Sequence, residues 1–265
     1  MPAPGISFIF FLIDPPKVIF SQPMKFAAAL YLIFSCSIGA FAQMHAHNDY
    51  EKPEPFTNAY EYGAGSIEVD IFLHKGELLV AHDTSQFDRT RTIASLYLRP
   101  LDSVITAGKI RQVQLLIDIK TEAYSTLQEL LEVLKRYPHI TRSDKISLVI
   151  SGNRPAPGKF KRYPAYILFD GLLQKDYSRK ALKRVPMFSD NFKNYSGWSD
   201  LVPAIRKAHQ LGKTIRFWNA PDNLDAWQQL MRLKVDWINT DQVKECSAFL
   251  RSLSSRDSAQ DSLSN

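Results

Sequence analysis

Two histidines, His45 and His47, stand one residue apart in the segment QMHAHNDYEKPEP. A His-x-His pair at the start of a domain is typical of a zinc site, and equally of a catalytic base beside a buried neighbour. A further histidine, His82, ends the run ELLVAHD and supplies a second group that titrates near neutral pH. His47 and His82 could therefore act as the base and the acid of one reaction, whereas His45 is expected to pack against or orient its neighbour.

Three carboxylates accompany the histidines in segments that are otherwise apolar. Glu68 and Asp70 alternate with apolar residues in SIEVDIFL, so both lie on one face of a strand, and Asp118 precedes Lys120 in QLLIDIK. Buried acids are costly unless a cation or a partner neutralises them. Three converging carboxylates favour one divalent cation, Mg²⁺ or Ca²⁺, over zinc. The alternative is that Glu68 and Asp70 form a buried pairing with Lys120.

A barrel of alternating strands and helices would bring these positions together. Eight short apolar runs alternate with amphipathic segments, which predicts an α/β domain with a single (β/α)8 TIM barrel. No glycine-rich phosphate loop follows the first strand, which disfavours a doubly wound sheet. The predicted strands are Met44–Asn48, Ser66–Phe72, Val113–Ile119, Ile146–Ser151, Tyr166–Phe169, Pro186–Ser189, Thr214–Trp218 and Trp237–Asn239.

The first 42 residues differ in character from the rest of the chain. Residues 24–42 combine a lysine, an apolar run and a small-residue cleavage site, which predicts a signal peptide and export to the periplasm or the exterior. We interpret residues 1–23 as a misassigned N-terminal extension, 43–250 as the barrel domain and 251–265 as a polar tail. Only Cys246 remains after cleavage, so the exported domain would have no internal disulfide.

The net charge of +6 bears on the partners of the protein. Basic residues are frequent between residues 159 and 213, and the favoured interpretation is a solvated face of a basic protein. The functional alternative is attraction of an anionic substrate, or peripheral contact with a membrane surface. Nucleic acid is not expected as a partner, because the basic residues are not interleaved with aromatics in a recognised motif.

The motifs together carry a family resemblance. The stretches HNDY and PFTNAYEYGAGSIEVDIFLHKGELLVAHD, followed by LLIDIK, resemble the phosphatidylinositol-phospholipase-C-like phosphodiesterase superfamily. Within it the chain is most similar to the group named after altered inheritance of mitochondria protein 6. Glycerophosphodiester phosphodiesterases and sphingomyelinase D are related enzymes. RFWNAPD and DWINTD, near the C-terminus, resemble the closing strands of the family.

The resemblance implies a TIM barrel, a phosphodiester substrate and a role for each matching residue. It implies His47 and His82 as the catalytic pair and a lysine, Lys120, as a phosphate contact. It implies that the metal ligands are Glu68, Asp70 and Asp118. At Asn48 the chain departs from glycerophosphodiesterases, which usually have an arginine there, and PEPFTNA stands in place of their Pro-Glu-Asn-Thr segment.

These observations predict a metal-dependent phosphoric diester hydrolase that uses two histidines in acid–base catalysis. The substrate would be a glycerophosphodiester, a phospholipid headgroup or a related phosphodiester. Asn48, Trp218 and Asn219 are the further candidates for substrate contact, the last two because they end the seventh predicted strand.

Two alternatives remain from the sequence. A zinc-dependent hydrolase of the amidohydrolase type would use the His-x-His motif, with Asp241 as its final acid. It also requires histidines at later strand ends, whereas His139 and His209 belong to helical segments. The second alternative is a non-catalytic binder of anionic glycan or lipid headgroups, with tryptophans as stacking faces.

Overall fold

The computed structural model describes Met1 and residues 42–263, with side chains described to Leu253. Nearly all of the predicted extension and signal peptide therefore lies outside the described residues. Within the described chain one sheet contains nine strands. They are β1 Gln43–Ala46, β2 Ser66–His74, β3 Glu77–Val80, β4 Val113–Ile119, β5 Ile146–Gly152, β6 Ile167–Phe169, β7 Met187–Asn191, β8 Thr214–Trp218 and β9 Trp237–Thr240.

Eight of these strands form a nearly closed parallel barrel, which confirms the predicted TIM barrel. Their order is β6-β5-β4-β2-β1-β9-β8-β7, and β3 pairs with β2 as the antiparallel arm of a hairpin. The ends of the sheet approach each other where Gly171, just after β6, forms a parallel bridge with Phe188 of β7. An added Cβ at Gly171 would lie 2.5 Å from the Phe188 ring, so the closure requires a glycine.

Helices surround the barrel in the described part of the chain. They are α1 Thr57–Glu61, α2 Arg99–Thr106, α3 Ala123–Leu134, α4 Pro138–Arg142, α5 Arg179–Leu182, α6 Val202–Gln210, α7 Leu224–Arg232 and α8 Val243–Leu263. The connection between β5 and β6 contains a 3₁₀ turn at Pro157–Arg162 where a regular barrel has an α-helix. Helix α8 continues through most of the segment predicted as a polar tail. No helix in residues 42–263 has both the length and the apolar character needed to cross a bilayer.

Helix α3 shows how the sequence determines these elements. The Glu122 side chain accepts hydrogen bonds from the backbone amides of Tyr124 and Ser125, which caps the first turn. Leu127, Leu130 and Leu134 follow at helical spacing and are fully buried against the barrel. The capping residue fixes where the helix begins, and the apolar stripe fixes which face it buries.

The strand register places the acids of β2 and β4 next to a buried apolar layer inside the barrel. Glu68, Leu116 and Val149 are paired at one level across β2, β4 and β5, and Asp70, Asp118 and Ser151 are paired two residues further along. Side chains two residues apart on a strand share a face. Leu116, Val149 and Met187 form a buried apolar cluster, so Asp70 and Asp118 lie one level above packed carbon and Glu68 lies beside it.

The first strand is shorter than predicted. It ends at Ala46, because Asn48 adopts a left-handed backbone conformation with φ 46° that a strand does not accommodate. His47 and Asn48 therefore lie in the loop at the carboxyl end of β1, which is the end of a barrel where side chains converge.

Candidate functional site

A cavity of about 400 Å³ opens among the loops at the carboxyl ends of the strands. Seven of the predicted site residues line it, namely His47, Glu68, His82, Asp118, Lys120, Trp218 and Asn219. Asn48 and Asp70 are not among the lining residues, but both contact the hydroxyl of a buried tyrosine, Tyr50. The tertiary structure thus collects the predicted residues from loops and strands far apart in the sequence.

Glu68 forms a buried ion pair that the sequence analysis did not predict. Its Oε2 atom accepts hydrogen bonds from the Arg216 guanidinium and, at 2.8 Å, from Nε2 of His45. Burial opposes the charge of Glu68, but the arginine and the histidine beside it hold the pKa well below its usual range. Of the alternative in which Glu68 and Asp70 both pair with Lys120, the structure shows the pair with Asp70, whereas Glu68 pairs with Arg216 instead.

His45 lies beneath the cavity with both ring nitrogens engaged. Its Nδ1 atom is 2.7 Å from Oγ of Ser66, and Nε2 contacts Glu68. Burial, reinforced by the charge of Arg216, lowers the pKa of His45 to about 3, so the ring is neutral. His45 is therefore a buried residue that orients Glu68, whereas the sequence led us to expect that it would orient His47. Because both ring nitrogens of His45 are engaged, a zinc site built on the His-x-His pair would lack His45 as a ligand.

Lys120 bridges the other two carboxylates. Its Nζ atom lies 3.0 Å from Oδ2 of Asp70 and 3.1 Å from Oδ2 of Asp118. Burial raises the pKa of Asp70 to about 6 and also raises that of Asp118, while Lys120 acts in the opposite direction on both. The lysine thus neutralises only part of the local negative charge.

Each of the three carboxylates has one engaged oxygen and one without a hydrogen-bond partner among the described residues. For Asp70 and Asp118 the unpartnered atom is Oδ1, which is buried in both residues. Glu68 accepts its hydrogen bonds through Oε2 alone. One oxygen from each residue can be chosen so that all lie within 4.8 Å of one another. Buried oxygens without donors are costly, so this set fits a divalent cation that prefers carboxylates.

A further acid lies on the far wall of the cavity. Asp170, directly after β6, accepts a hydrogen bond from Ser151 at 2.9 Å, and its Oδ1 is buried without a partner among the described residues. Its charge helps to raise the pKa of Arg216, after the larger opposing effect of burial and the effect of Glu68. The four acids of the cavity region outnumber its three cations, Lys120, Arg154 and Arg216.

His47 is anchored by Asp241, which directly follows β9. Its Nδ1 atom lies 2.8 Å from Oδ1 of Asp241. Burial disfavours the charged ring, but the hydrogen bond to Asp241, together with the charge of Glu68, raises the pKa of His47. With Nδ1 held in this way, Nε2 is the ring nitrogen of His47 that remains for a substrate.

His82 is anchored by Tyr50. The tyrosine hydroxyl lies 3.1 Å from Nδ1 of His82, 2.8 Å from Oδ2 of Asp70 and 2.9 Å from Oδ1 of Asn48. Burial and the charge of Asp70 raise the pKa of Tyr50, so the hydroxyl keeps its proton. Tyr50 joins the histidine to the carboxylate group through one oxygen atom.

Sequence reasoning missed Arg216, Tyr50 and Asp170, although the first two carry a readable signal. Arg216 interrupts the apolar strand TIRFW, as Glu68 and Asp70 interrupt theirs, and Tyr50 ends the motif HNDY. Asp170 follows a strand of only three residues, β6, so its position at the cavity depends on tertiary structure. Asp241 was recognised only as a ligand of the zinc alternative.

Comparison with known protein families gives two matches along the chain. Residues 37–112 match the family described as the AIM6-like phosphodiesterase domain, and residues 214–244 match the glycerophosphoryl diester phosphodiesterase family. The chain is 22% identical to altered inheritance of mitochondria protein 6 of Eremothecium gossypii, over 80% of this chain and 70% of the relative. It is 24% identical to the Arthroderma benhamiae homologue, over 78% of this chain and 83% of that protein.

Two solved structures share the fold. A Ca²⁺-dependent phosphatidylinositol-specific phospholipase C from Streptomyces antibioticus superposes with a TM-score of 0.55 and 14% identity, over 80% of this chain and 96% of that one. A glycerophosphodiester phosphodiesterase from Agrobacterium tumefaciens superposes with a TM-score of 0.53 and 13% identity, over 80% of this chain and all of that one. At such identities the likeness concerns the barrel itself.

Proposed function

Because this chain belongs to the phosphatidylinositol-phospholipase-C-like phosphodiesterase superfamily, near the altered inheritance of mitochondria protein 6 group, we propose that it hydrolyses a phosphodiester by means of a divalent cation and two histidines. One observation carries the proposal. Three carboxylates, each with an oxygen that no described residue engages, lie beside two histidines that are each anchored through Nδ1.

The charge balance supports a requirement for the cation. Glu68, Asp70, Asp118 and Asp170 outnumber the cations Lys120, Arg154 and Arg216, and Lys120 and Arg216 are already paired with three of these acids. A phosphodiester is itself an anion, so a positive ion held by these carboxylates would reduce its repulsion from them. Glu68, Asp70 and Asp118 would hold that ion, which as Mg²⁺ or Ca²⁺ would neutralise the charge on the reacting phosphate.

The two histidines supply the proton transfers. One Nε2 atom takes the proton from the attacking oxygen, and the other returns a proton to the oxygen of the departing alcohol as its bond to phosphorus breaks. Asp241 orients His47, and Tyr50 orients His82. Lys120, Trp218 and Asn219 line the cavity, where they are placed to contact the substrate.

Tyr50 would fix the proton arrangement of His82. The hydroxyl has one proton and three neighbours, and the Asp70 carboxylate can only accept. With the proton donated to Asp70, the hydroxyl oxygen accepts from Nδ1–H of His82, and Asn48 turns its amide NH₂ group towards it. Neutral His82 then has its lone pair on Nε2.

The first test is hydrolysis of a phosphodiester panel by the purified protein. The panel contains a chromogenic diester, glycerophosphocholine, lysophosphatidylcholine and phosphatidylinositol, each with EDTA, Mg²⁺, Ca²⁺ or Zn²⁺. We expect EDTA to abolish turnover and Mg²⁺ or Ca²⁺ to restore it. The Asp118→Asn variant should require a cation concentration at least about 10-fold higher to reach half of its maximal activity. His47→Ala and His82→Ala should each lower kcat by roughly 10²–10⁴-fold.

The matched control is His139→Ala, which removes an exposed histidine paired with Asp102 outside the cavity. This variant should retain the activity of the unmodified protein. If the protein hydrolysed none of the diesters, bound zinc tightly and hydrolysed amides or esters, the zinc hydrolase would be established instead.

A further inference from the structure

A second cavity, of about 630 Å³, adjoins the candidate site. Gly152, Arg154 and Leu172 line both cavities and so form a common edge. The volume lies within the range of roughly 300–1,000 Å³ that is typical of ligand pockets. A molecule whose phosphate lies in the first cavity can therefore extend one alcohol substituent into the second, which we call the substituent cavity.

The charges of the substituent cavity are predominantly positive. Arg154 donates through Nη1 to the Gly152 carbonyl oxygen at 3.1 Å, whereas Nη2 is buried and has no partner among the described residues. Lys175 is exposed on the cavity wall. The acid on the wall is Glu122, whose two oxygens accept hydrogen bonds from the first amides of α3. Its negative charge is therefore offset by the helix end.

The cavity also offers hydrogen-bonding groups suited to hydroxyls. The Tyr177 hydroxyl oxygen accepts a hydrogen bond of 2.8 Å from the Leu172 amide, so the hydroxyl proton can still be donated to a ligand. Asn153 donates through Nδ2 to the carbonyl oxygens of Lys120 and Thr121, which leaves its Oδ1 atom as an acceptor. Apart from Thr121, the remaining side chains of the wall are apolar and belong to Ala123, Pro155, Ala156, Pro157, Phe160 and Leu172.

We propose, on the basis of the proposed function, that the substituent cavity selects phosphodiesters whose alcohol is a neutral or anionic polyol. Glycerol and inositol headgroups belong to this class, whereas choline and ethanolamine headgroups are cationic. A cationic headgroup would face Arg154 and Lys175, and the wall has no acid whose charge is left uncompensated. Like charges brought together in a partly buried site are strongly unfavourable.

The test compares two diesters that share 4-nitrophenyl phosphate, whose aromatic alcohol is not a polyol, and differ in the charge of the second alcohol. For the inositol diester we expect kcat/KM to exceed that for the choline diester by at least about 10-fold, at the same pH and cation concentration. Lys175→Glu should reduce this ratio several-fold by raising turnover of the choline diester relative to the inositol diester. Lys180→Glu makes the same change of net charge at an exposed position of α5 outside both cavities, and should leave the ratio unchanged.

Two results would overturn the inference while leaving the proposed function intact. The first is equal or faster turnover of the choline diester, and the second is an equal effect of the two lysine substitutions on the ratio. Calorimetric binding of both diesters provides an independent readout of selectivity. Selective binding of the inositol diester without turnover of any diester would instead contradict the proposed function and retain the selectivity of the cavity.

Discussion

The hydroxyl of Tyr50 lies 3.1 Å from Nδ1 of His82 and couples this exposed histidine to the buried carboxylate of Asp70. The phenol ring itself is 1% exposed, so the hydroxyl is held in place by the packing around it. This hydrogen bond gives an exposed loop histidine a fixed ring orientation, which is what acid–base catalysis requires of a side chain.

Replacing Tyr50 with Phe should lower kcat by roughly 10-fold while the fold is retained, because His82 loses the acceptor that fixes its Nδ1–H form. Nitrogen-15 NMR of His82 should show the two neutral tautomers becoming mixed. Tyr60→Phe is the matched control, since its hydroxyl bonds Lys109 and Arg111 away from the cavity. An unchanged tautomer in Tyr50→Phe would remove this positioning role.

Replacing Asp241 with Asn should lower the pKa of His47. The folded pKa is raised above the ordinary 6.5, so the ion pair with Asp241 stabilises the fold below that value. This stabilisation is lost as the pH rises through the raised pKa. Proton NMR titration of the His47 ring measures the shift, with Asp102→Asn as a control at an exposed pair. The same His47 titration in both variants would mean that Asp241 does not set this pKa.

The buried pair of Arg216 and Glu68 should contribute to stability far more than an exposed pair. Arg216→Met leaves a buried carboxylate without its cation, and we expect a loss of about 3–5 kcal/mol in the free energy of unfolding. Arg89→Met breaks the fully exposed pair with Glu77 and should have no measurable effect. Urea unfolding compares the variants, and equal midpoints would show that the buried pair is dispensable.

Gly152 should be required for the position of Asp118. Its φ of +63° disfavours other residues, and an added Cβ would lie 1.8 Å from Oδ1 of Asp118. Gly152→Ala should therefore destabilise the protein by about 1–3 kcal/mol and weaken cation binding, because that carboxylate must move. Gly158→Ala adds a Cβ that meets no atom within 4 Å and serves as the control. Thermal unfolding and calorimetric cation titration distinguish the two variants.

The sequence predicted the barrel because its signals are local. Apolar runs bounded by turns mark the strands, and the helical spacing in α3 marks a buried face, so neither needs knowledge of distant contacts. The same reasoning identified Glu68, Asp70 and Asp118, since an acid within an apolar strand is costly unless it has a partner.

The partners of Glu68 and His47 were decided by tertiary structure alone. Arg216 is 148 residues from Glu68, and Asp241 is 194 residues from His47, so no local pattern links either pair. Barrel closure brings the last strands beside the first, and the first strand ends where Asn48 turns to a left-handed conformation. The sequence thus determined which side chains require neutralisation, whereas the strand register determined that Arg216 neutralises Glu68 and that Lys120 bridges Asp70 and Asp118.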